Sequence, residues 1–422
     1  IAENQCRCCS HPSCTNDAAL ARRGEQTTRE NTMKSAIRMD DTPIDVPRGL
    51  ANVIVTETAL SDVRGQEGFY HYRQYSATEL ARTRSVEDIW QLMLDGALPT
   101  PVERAAFAAQ IADASALPIA LSEALPAIAK SSMHADGLAG LRVALSLEGA
   151  RAGLCPLYDL SVEQRRDDLV GLASKTPTII AALHRLRLGL HPVAPRPEMG
   201  YVANYLYMLQ GVVPQRRAVE GLSAYLAAAV DHGFNASTFT ARVIASTGAD
   251  AASCLVGALG ALSGPLHGGA PSRALDTLDA IGSPENIDAW IGERLTAGER
   301  IMGFGHPVYR TEDPRSALLK AVAKTFGGPR VDFAIQVEER VPVLLEAFKP
   351  GRALHTNLEW YAAIVMELCG IDRDLFTPTF AAARVLGWTA NVLEQSIDPK
   401  IIRPSARYVG PQAPEAVPPV AI

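Results

Sequence analysis

From Ser85 onward the chain is written in Ala- and Leu-rich segments of helical spacing, each stopped by Pro, Gly or Asp, a pattern that leaves no room for an extensive sheet. Ser85 with Asp88 makes a capping-box-like start for a helix to Gly96, and Pro101 opens the next. A helix is expected over Arg217–His232, with Val219, Leu222, Leu226 and Val230 at helical spacing and Gly233 as its stop. Another, Asp250–Leu262, is so rich in Ala and Gly that it should lie deep, its backbone close to a neighbour. Thr377 and Pro378 supply an N-cap and first-turn proline for a last long helix, Thr379–Gln395. Before Ser85, the β-branched run Val53–Thr58 and the aromatic run Phe69–Tyr75 flank turn chemistry at Arg64–Gly68, which predicts a small N-terminal β-hairpin.

The fold class is therefore all-α, mainly helical, and 422 residues suffice for two domains. The stretch from about Pro271 to Gly370 is more charged and broken at Gly282, Gly327 and Pro350. We expect it to be a smaller helical domain, 269–373, set within a larger one formed by 39–268 and 374–422. Residues 1–38 lack apolar periodicity and are expected to be a disordered extension or to precede the natural start at Met33 or Met39. They hold Cys6, Cys8, Cys9 and Cys14, whose C-x-C-C spacing is not that of a common zinc finger, and no apolar core of a targeting signal. A formal charge of −6 gives no polyanion-binding surface, so nucleic acid is excluded as a partner. The apolar run Ala251–Leu262 falls short of the roughly 20 residues of a bilayer span, and the cytoplasm is the default location.

Four segments carry chemistry: Asp231-His232-Gly233, Leu266-His267-Gly268-Gly269, Gly303-Phe304-Gly305-His306-Pro307-Val308-Tyr309, and Asn357-Leu358-Glu359. His267 follows a helix broken by Pro265 and precedes two glycines, where a ligand can approach the backbone; the alternative is a core histidine satisfied by a carbonyl. Gly303 to Gly305 leave backbone N–H groups able to face a phosphate beside His306, or else form a tight turn with a surface histidine. Glu359 sits two residues after the N-cap Asn357, where a helix dipole favours the ionised form that a general base requires. No two histidines share a metal-binding spacing, so no metal is assigned. Arg384 is the most constrained residue. It lies in a run that is apolar nearly all round, and a buried guanidinium needs an anion, either an acidic neighbour or a substrate carboxylate. Arg315 and Arg403 are less distinctive and are exposed by default.

Taken in order, Asp231–Thr238, Gly264–Ala270, Gly303–Tyr309 with Asp313-Pro314-Arg315, and Phe376–Trp388 resemble the citrate synthase family, which includes 2-methylcitrate synthases; the likeness runs from about Gly49 to Gly410. The resemblance implies a citrate-synthase-like, nearly all-α homodimer whose large and small domains close over a cleft shared across the subunit interface. It implies condensation of acetyl-CoA with oxaloacetate and water, without a cofactor, to give citrate and CoA, or use of propionyl-CoA to give 2-methylcitrate. On matching positions, Glu359 is the base, His267 the donor to the enol oxygen and His306 the group polarising the ketone. His232, Arg315 and Arg384 hold the carboxylates, with Arg403 coming from the partner subunit. Gly303, Phe304, Gly305 and Arg310 contact CoA. The family usually has aspartate where this chain has Glu359. A non-catalytic ligand sensor or assembly subunit is the reading of another class.

Overall fold

The computed structural model describes residues 43–133, 137–268, 270–306, 308–309, 311–348, 350, 354–416 and 418. The expected N-terminal extension and its cysteine cluster, Gly269, and Arg310 with its assigned CoA contact lie outside these residues. Helix predominates, as expected, with sixteen α-helices among the described residues. They run as α1 Ala77–Thr83, α2 Val86–Asp95, α3 Pro101–Ser115, α4 Ile119–Ser131, α5 Gly137–Ala152, α6 Val162–Arg187, α7 Tyr201–Gln210 and α8 Arg216–Ala229. The second half continues with α9 Ala236–Ala245, α10 Ala251–Leu262, α11 Ala270–Ile281, α12 Ile287–Thr296, α13 Pro314–Phe326, α14 Pro329–Phe348, α15 Leu358–Leu368 and α16 Phe376–Gln395.

Two compact units are present, one built on Thr58–Pro399 and carrying all the helices above. The other takes 43–57 with the chain beyond Lys400; its described residues are largely exposed and include the ion pair Arg407–Asp45 at 2.7 Å. No single helix among the described residues is long and apolar enough to cross a membrane.

The sheet differs from the sequence expectation. It has three antiparallel strands, β1 Ser61–Arg64, β2 Phe69–Tyr72 and β3 Tyr75–Ser76, in that order. Arg64 pairs with Phe69, so Gly65–Gly68 is a four-residue loop, and a loop that short pairs the residues immediately flanking it. Val53–Thr58 is too far from the turn to join and is not a strand; its Ile54 is 89% exposed.

Capping explains most helix starts. Ser85 Oγ accepts from Asp88 N, and Thr100 with Glu103 forms a full capping box on α3. The last helix departs from expectation, since α16 begins at Phe376 and no side chain caps it. Thr377 instead donates its hydroxyl to Gly268 O at 3.0 Å, and Pro378 sits in the first turn, where its missing N–H costs nothing. Helix α8 stops at Ala229, earlier than expected. The carbonyls of Ala227, Ala228 and Ala229 accept from Tyr72 Oη, Tyr70 Oη and Arg384 Nε, so the terminus is satisfied by side chains from β2 and α16. That early stop releases Asp231 and His232 from the helix.

Candidate active site

Helix α16 is buried almost throughout and packs against α2, α6, α8, α9 and α10, so anything polar along it must be satisfied inside the protein. Gly387 lets it approach α8 closely: a Cβ there would stand 2.1 Å from Val230 O. One turn away, Arg384 is 2% exposed. Its Nε donates to Ala229 O at 2.9 Å and its guanidinium carbon lies 4.7 Å from the centre of the Phe380 ring. Among the described residues Arg384 has no ion pair, and its remaining donors have no hydrogen-bond partner. Asp231, the nearest acidic influence, is itself engaged by Ser61 Oγ and by Asn391 Nδ2. Burial lowers the Arg384 pKa while Asp231 opposes that fall. Of the two anions considered from sequence, the internal salt bridge does not occur among the described residues.

Arg315 is also buried, at 4% exposure, contrary to the expectation of an exposed residue. Asp313, the N-cap of α13, grips it at 2.9 Å through Nε and 2.8 Å through Nη2, and also accepts from Leu358 N at the start of α15. Burial disfavours the Arg315 cation, yet Asp313 outweighs it and raises the pKa. The same guanidinium stands 3.2 Å from His306 Nε2.

The protonation of His306 follows from its partners. Nδ1 accepts from the N–H groups of Val308 at 3.0 Å and Tyr309 at 3.1 Å, and a nitrogen that accepts twice carries no proton. Those two N–H groups put the hydrogen of the neutral ring on Nε2, which makes the 3.2 Å approach of Arg315 Nη2 to Nε2 a contact between two donors and not a hydrogen bond. Burial, then the Arg315 charge, pushes the pKa down to about 4. His232 packs its ring 5.5 Å from that of His306, and its Nε2 meets Tyr309 Oη at 2.9 Å. Burial and Arg315 hold His232 well below the usual histidine range.

His267 follows α10 on a turn that only glycine can close, since a Cβ on Gly268 would lie 2.3 Å from Leu262 O. Its Nε2 meets Ser237 Oγ at 2.8 Å, and burial followed by the Arg384 charge lowers its pKa to about 4. With folded values near 4 against about 6.5 unfolded, the native protein binds fewer protons in that interval. Stability is then present at neutral pH and is lost as pH falls from about 6.5 towards 4. The thermal midpoint should drop across this window, and His306→Asn should flatten the drop; an unchanged slope in that variant would contradict a neutral His306.

Glu359 enters from the first turn of α15, with Asn357 Oδ1 capping its N–H at 3.1 Å as the sequence predicts. The residue is partly exposed, and its carboxylate has no side-chain hydrogen bond among the described residues. Desolvation raises its pKa, while Arg315 and its own backbone N–H oppose the rise. Tyr225 Oη is fully buried without a partner among the described residues, and its largest charged influence is Glu359.

Two of the three N–H groups from Gly303 to Gly305 are engaged within the protein. Phe304 N donates to Ile301 O, Gly305 N donates to His355 O at 2.8 Å, and Gly303 O accepts from Asn357 N. The first closes a local turn, while the Gly305 N–H and the Gly303 carbonyl dock the segment against 355–357, with Phe304 against the Trp360 ring. His306 is half-buried rather than a surface residue. Arg403 is exposed in the other unit. Sequence reasoning did not single out Ser237, Asp313, Tyr309 or Tyr225, although Ser237, Asp313 and Tyr309 stand inside the motifs it quoted.

The family model for the citrate synthase C-terminal domain matches residues 49–405. The putative citrate synthase 2 of Mycobacterium tuberculosis is 37% identical over 377 residues, covering 87% of this chain and 95% of that protein. Citrate synthase 2 of Bacillus subtilis is 36% identical over 376 residues, covering 88% and 98%. The solved citrate synthase of Pyrobaculum aerophilum superposes with a TM-score of 0.79 at 32% identity, covering 91% of this chain and 98% of that one. A ternary complex of the Thermoplasma acidophilum enzyme with carboxymethyl coenzyme A and oxaloacetate gives a TM-score of 0.81 at 27% identity, covering 89% and 98%. With a matching family model across most of its length and relatives more than a third identical over nearly their whole chains, this chain belongs to the citrate synthase family.

Proposed function

We propose that the protein condenses acetyl-CoA with oxaloacetate and water to give citrate and CoA. The observation that carries this is Arg384: a buried guanidinium with unused donors, beside histidines held neutral, is a receptor for a small carboxylate. Oxaloacetate brings two carboxylates, which Arg384, Arg315 and His232 would hold, with Arg403 reaching in from the partner subunit. His306 would offer its Nε2–H to the ketone oxygen and draw charge from the carbon to be attacked. Glu359 would take a proton from the thioester methyl, while His267 stabilises the enol oxygen. The enol carbon then bonds to the ketone carbon, and water cleaves the citryl thioester to release CoA.

His306, Arg315 and Glu359 come from 269–373, the expected small domain, and His232, His267 and Arg384 from the expected large one. Closure of one on the other would shield the enol and thioester from water. The segment 303–305 and Arg310 are proposed to meet CoA. The scheme uses no resident cofactor, and we place the enzyme in the cytoplasm. We also propose a homodimer. The outward faces of α5 and α10 support it, since Val143 and Leu147 are 53% and 37% exposed beside the partly exposed Val256. Light scattering should return twice the mass of one chain.

A thiol-release assay tests the reaction. Free CoA should appear with acetyl-CoA only when oxaloacetate is present. Faster release from propionyl-CoA would make the product 2-methylcitrate, and no release from either would favour a ligand sensor.

A further inference from the structure

His267 reaches the protein interior through one hydroxyl, and that hydroxyl has two claimants. Ser237 is fully buried at the start of α9, where Asn235 is the N-cap. Its Oγ lies 2.8 Å from Asn235 Oδ1 and 2.8 Å from His267 Nε2. The Asn235 amide is oriented beyond doubt by its other bonds. Oδ1 accepts from Thr238 N at 3.1 Å, while Nδ2 faces the acceptors Gly233 O at 3.3 Å and Thr238 Oγ1 at 3.1 Å. Oδ1 can only accept, so the short Ser237–Asn235 contact needs the single Ser237 proton. Without it, two oxygens would face each other at 2.8 Å with lone pairs opposed. Ser237 Oγ is then left to accept from His267, which requires the hydrogen on Nε2. In the neutral ring Nδ1 is bare, and it is not among the buried unpartnered atoms, so it keeps access to the cleft.

We propose that Asn235 is a positioning residue that sets the tautomer of His267: by taking the Ser237 proton it holds the free enzyme in the Nε2–H form, which presents an acceptor, not a donor, to the cleft. This rests on the role proposed above for His267. To donate from Nδ1 to a developing enol oxygen, the ring must give up Nε2–H and gain Nδ1–H, exchanging through cleft water, while the Ser237 hydroxyl turns from Asn235 to Nε2. The proton count is unchanged: one on the imidazole and one on the hydroxyl before and after. The open enzyme thus holds the donor form in reserve, and the approach of a thioester oxygen draws it out by accepting that hydrogen bond.

Nitrogen-15 NMR of histidine-labelled, ligand-free full-length protein reads the tautomer directly. Wild type should show Nε2–H at His267, the resonance being assigned by its loss in His267→Gln. Asn235→Ser keeps an N-cap but is too short to reach the Ser237 hydroxyl, and Asn235→Ala removes both; each should move His267 towards Nδ1–H. Asn235→Ala should also lose thermal stability through the missing cap, whereas Asn235→Ser should not, so a purely structural role would separate the two variants and leave the tautomer alone. Nδ1–H in the wild type, or Nε2–H persisting in both variants, overturns the proposal. The readout needs no turnover, so it stands or falls apart from the thiol-release assay.

Discussion

Glu359→Gln is expected to lower the condensation rate by about 10²–10⁴-fold, the usual worth of a positioned general base, with little change in the KM for oxaloacetate. The amide keeps the size of the side chain and the N-cap at Asn357, so the loss reports on the proton acceptor alone. The same change should raise the melting temperature at neutral pH. Desolvation raises the folded pKa of Glu359 above its unfolded value, so the native state holds more protons, and stability falls as pH rises through that window. Removing the charge removes that penalty. For the same reason, the acid limb of kcat should lie above the range of an ordinary carboxylate. Because the carboxylate makes no side-chain hydrogen bond among the described residues, its reach is set by the chain itself. Glu359→Asp should therefore stand about 1 Å short of the methyl carbon and cost up to about 100-fold, though the shorter residue is the one usual in the family. A loss below tenfold in Glu359→Gln would remove Glu359 from the role of base.

Arg384→Leu should raise the KM for oxaloacetate by at least about 100-fold, since charge-assisted hydrogen bonds contribute about 1.5–3 kcal/mol each and the fork can make two. The protein should not lose stability. The guanidinium is buried without an ion pair among the described residues, so an apolar side chain of similar reach relieves a desolvation cost while giving up one bond to Ala229 O. Oxaloacetate should raise the thermal midpoint of the wild type and leave that of Arg384→Leu unmoved. If the variant keeps its KM within tenfold, the carboxylate is held elsewhere. If it unfolds, Arg384 is a structural residue whose partner lies outside those described.

Local chemistry announced a good part of this protein. The Ser85 and Asn357 caps, the Gly282 and Gly327 breaks and the bounds of the Ala- and Gly-rich helix at 251–262 stand as the sequence predicts, because each rests on interactions within a few residues; that helix lies less deep than expected, with Ser253 and Gly260 exposed. The strand at Val53–Thr58, the end of α8 and the cap of α16 were misjudged for the opposite reason. In each case a distant partner settled the backbone: β2 took Ser61–Arg64, Tyr70, Tyr72 and Arg384 took the last carbonyls of α8, and Gly268 took the Thr377 hydroxyl.

The sequence by itself determined the helical class and the chemical types at the site, because periodicity, caps and the cost of a lone arginine in an apolar run are local facts. Tertiary structure decided their state. Whether Arg384 meets an internal acid, which nitrogen of His306 bears the proton, and whether Arg315 is exposed or clamped by Asp313 depend on groups brought together from different helices. Electrostatics and hydrogen bonding act through space at a few ångströms, and only the folded chain fixes those distances.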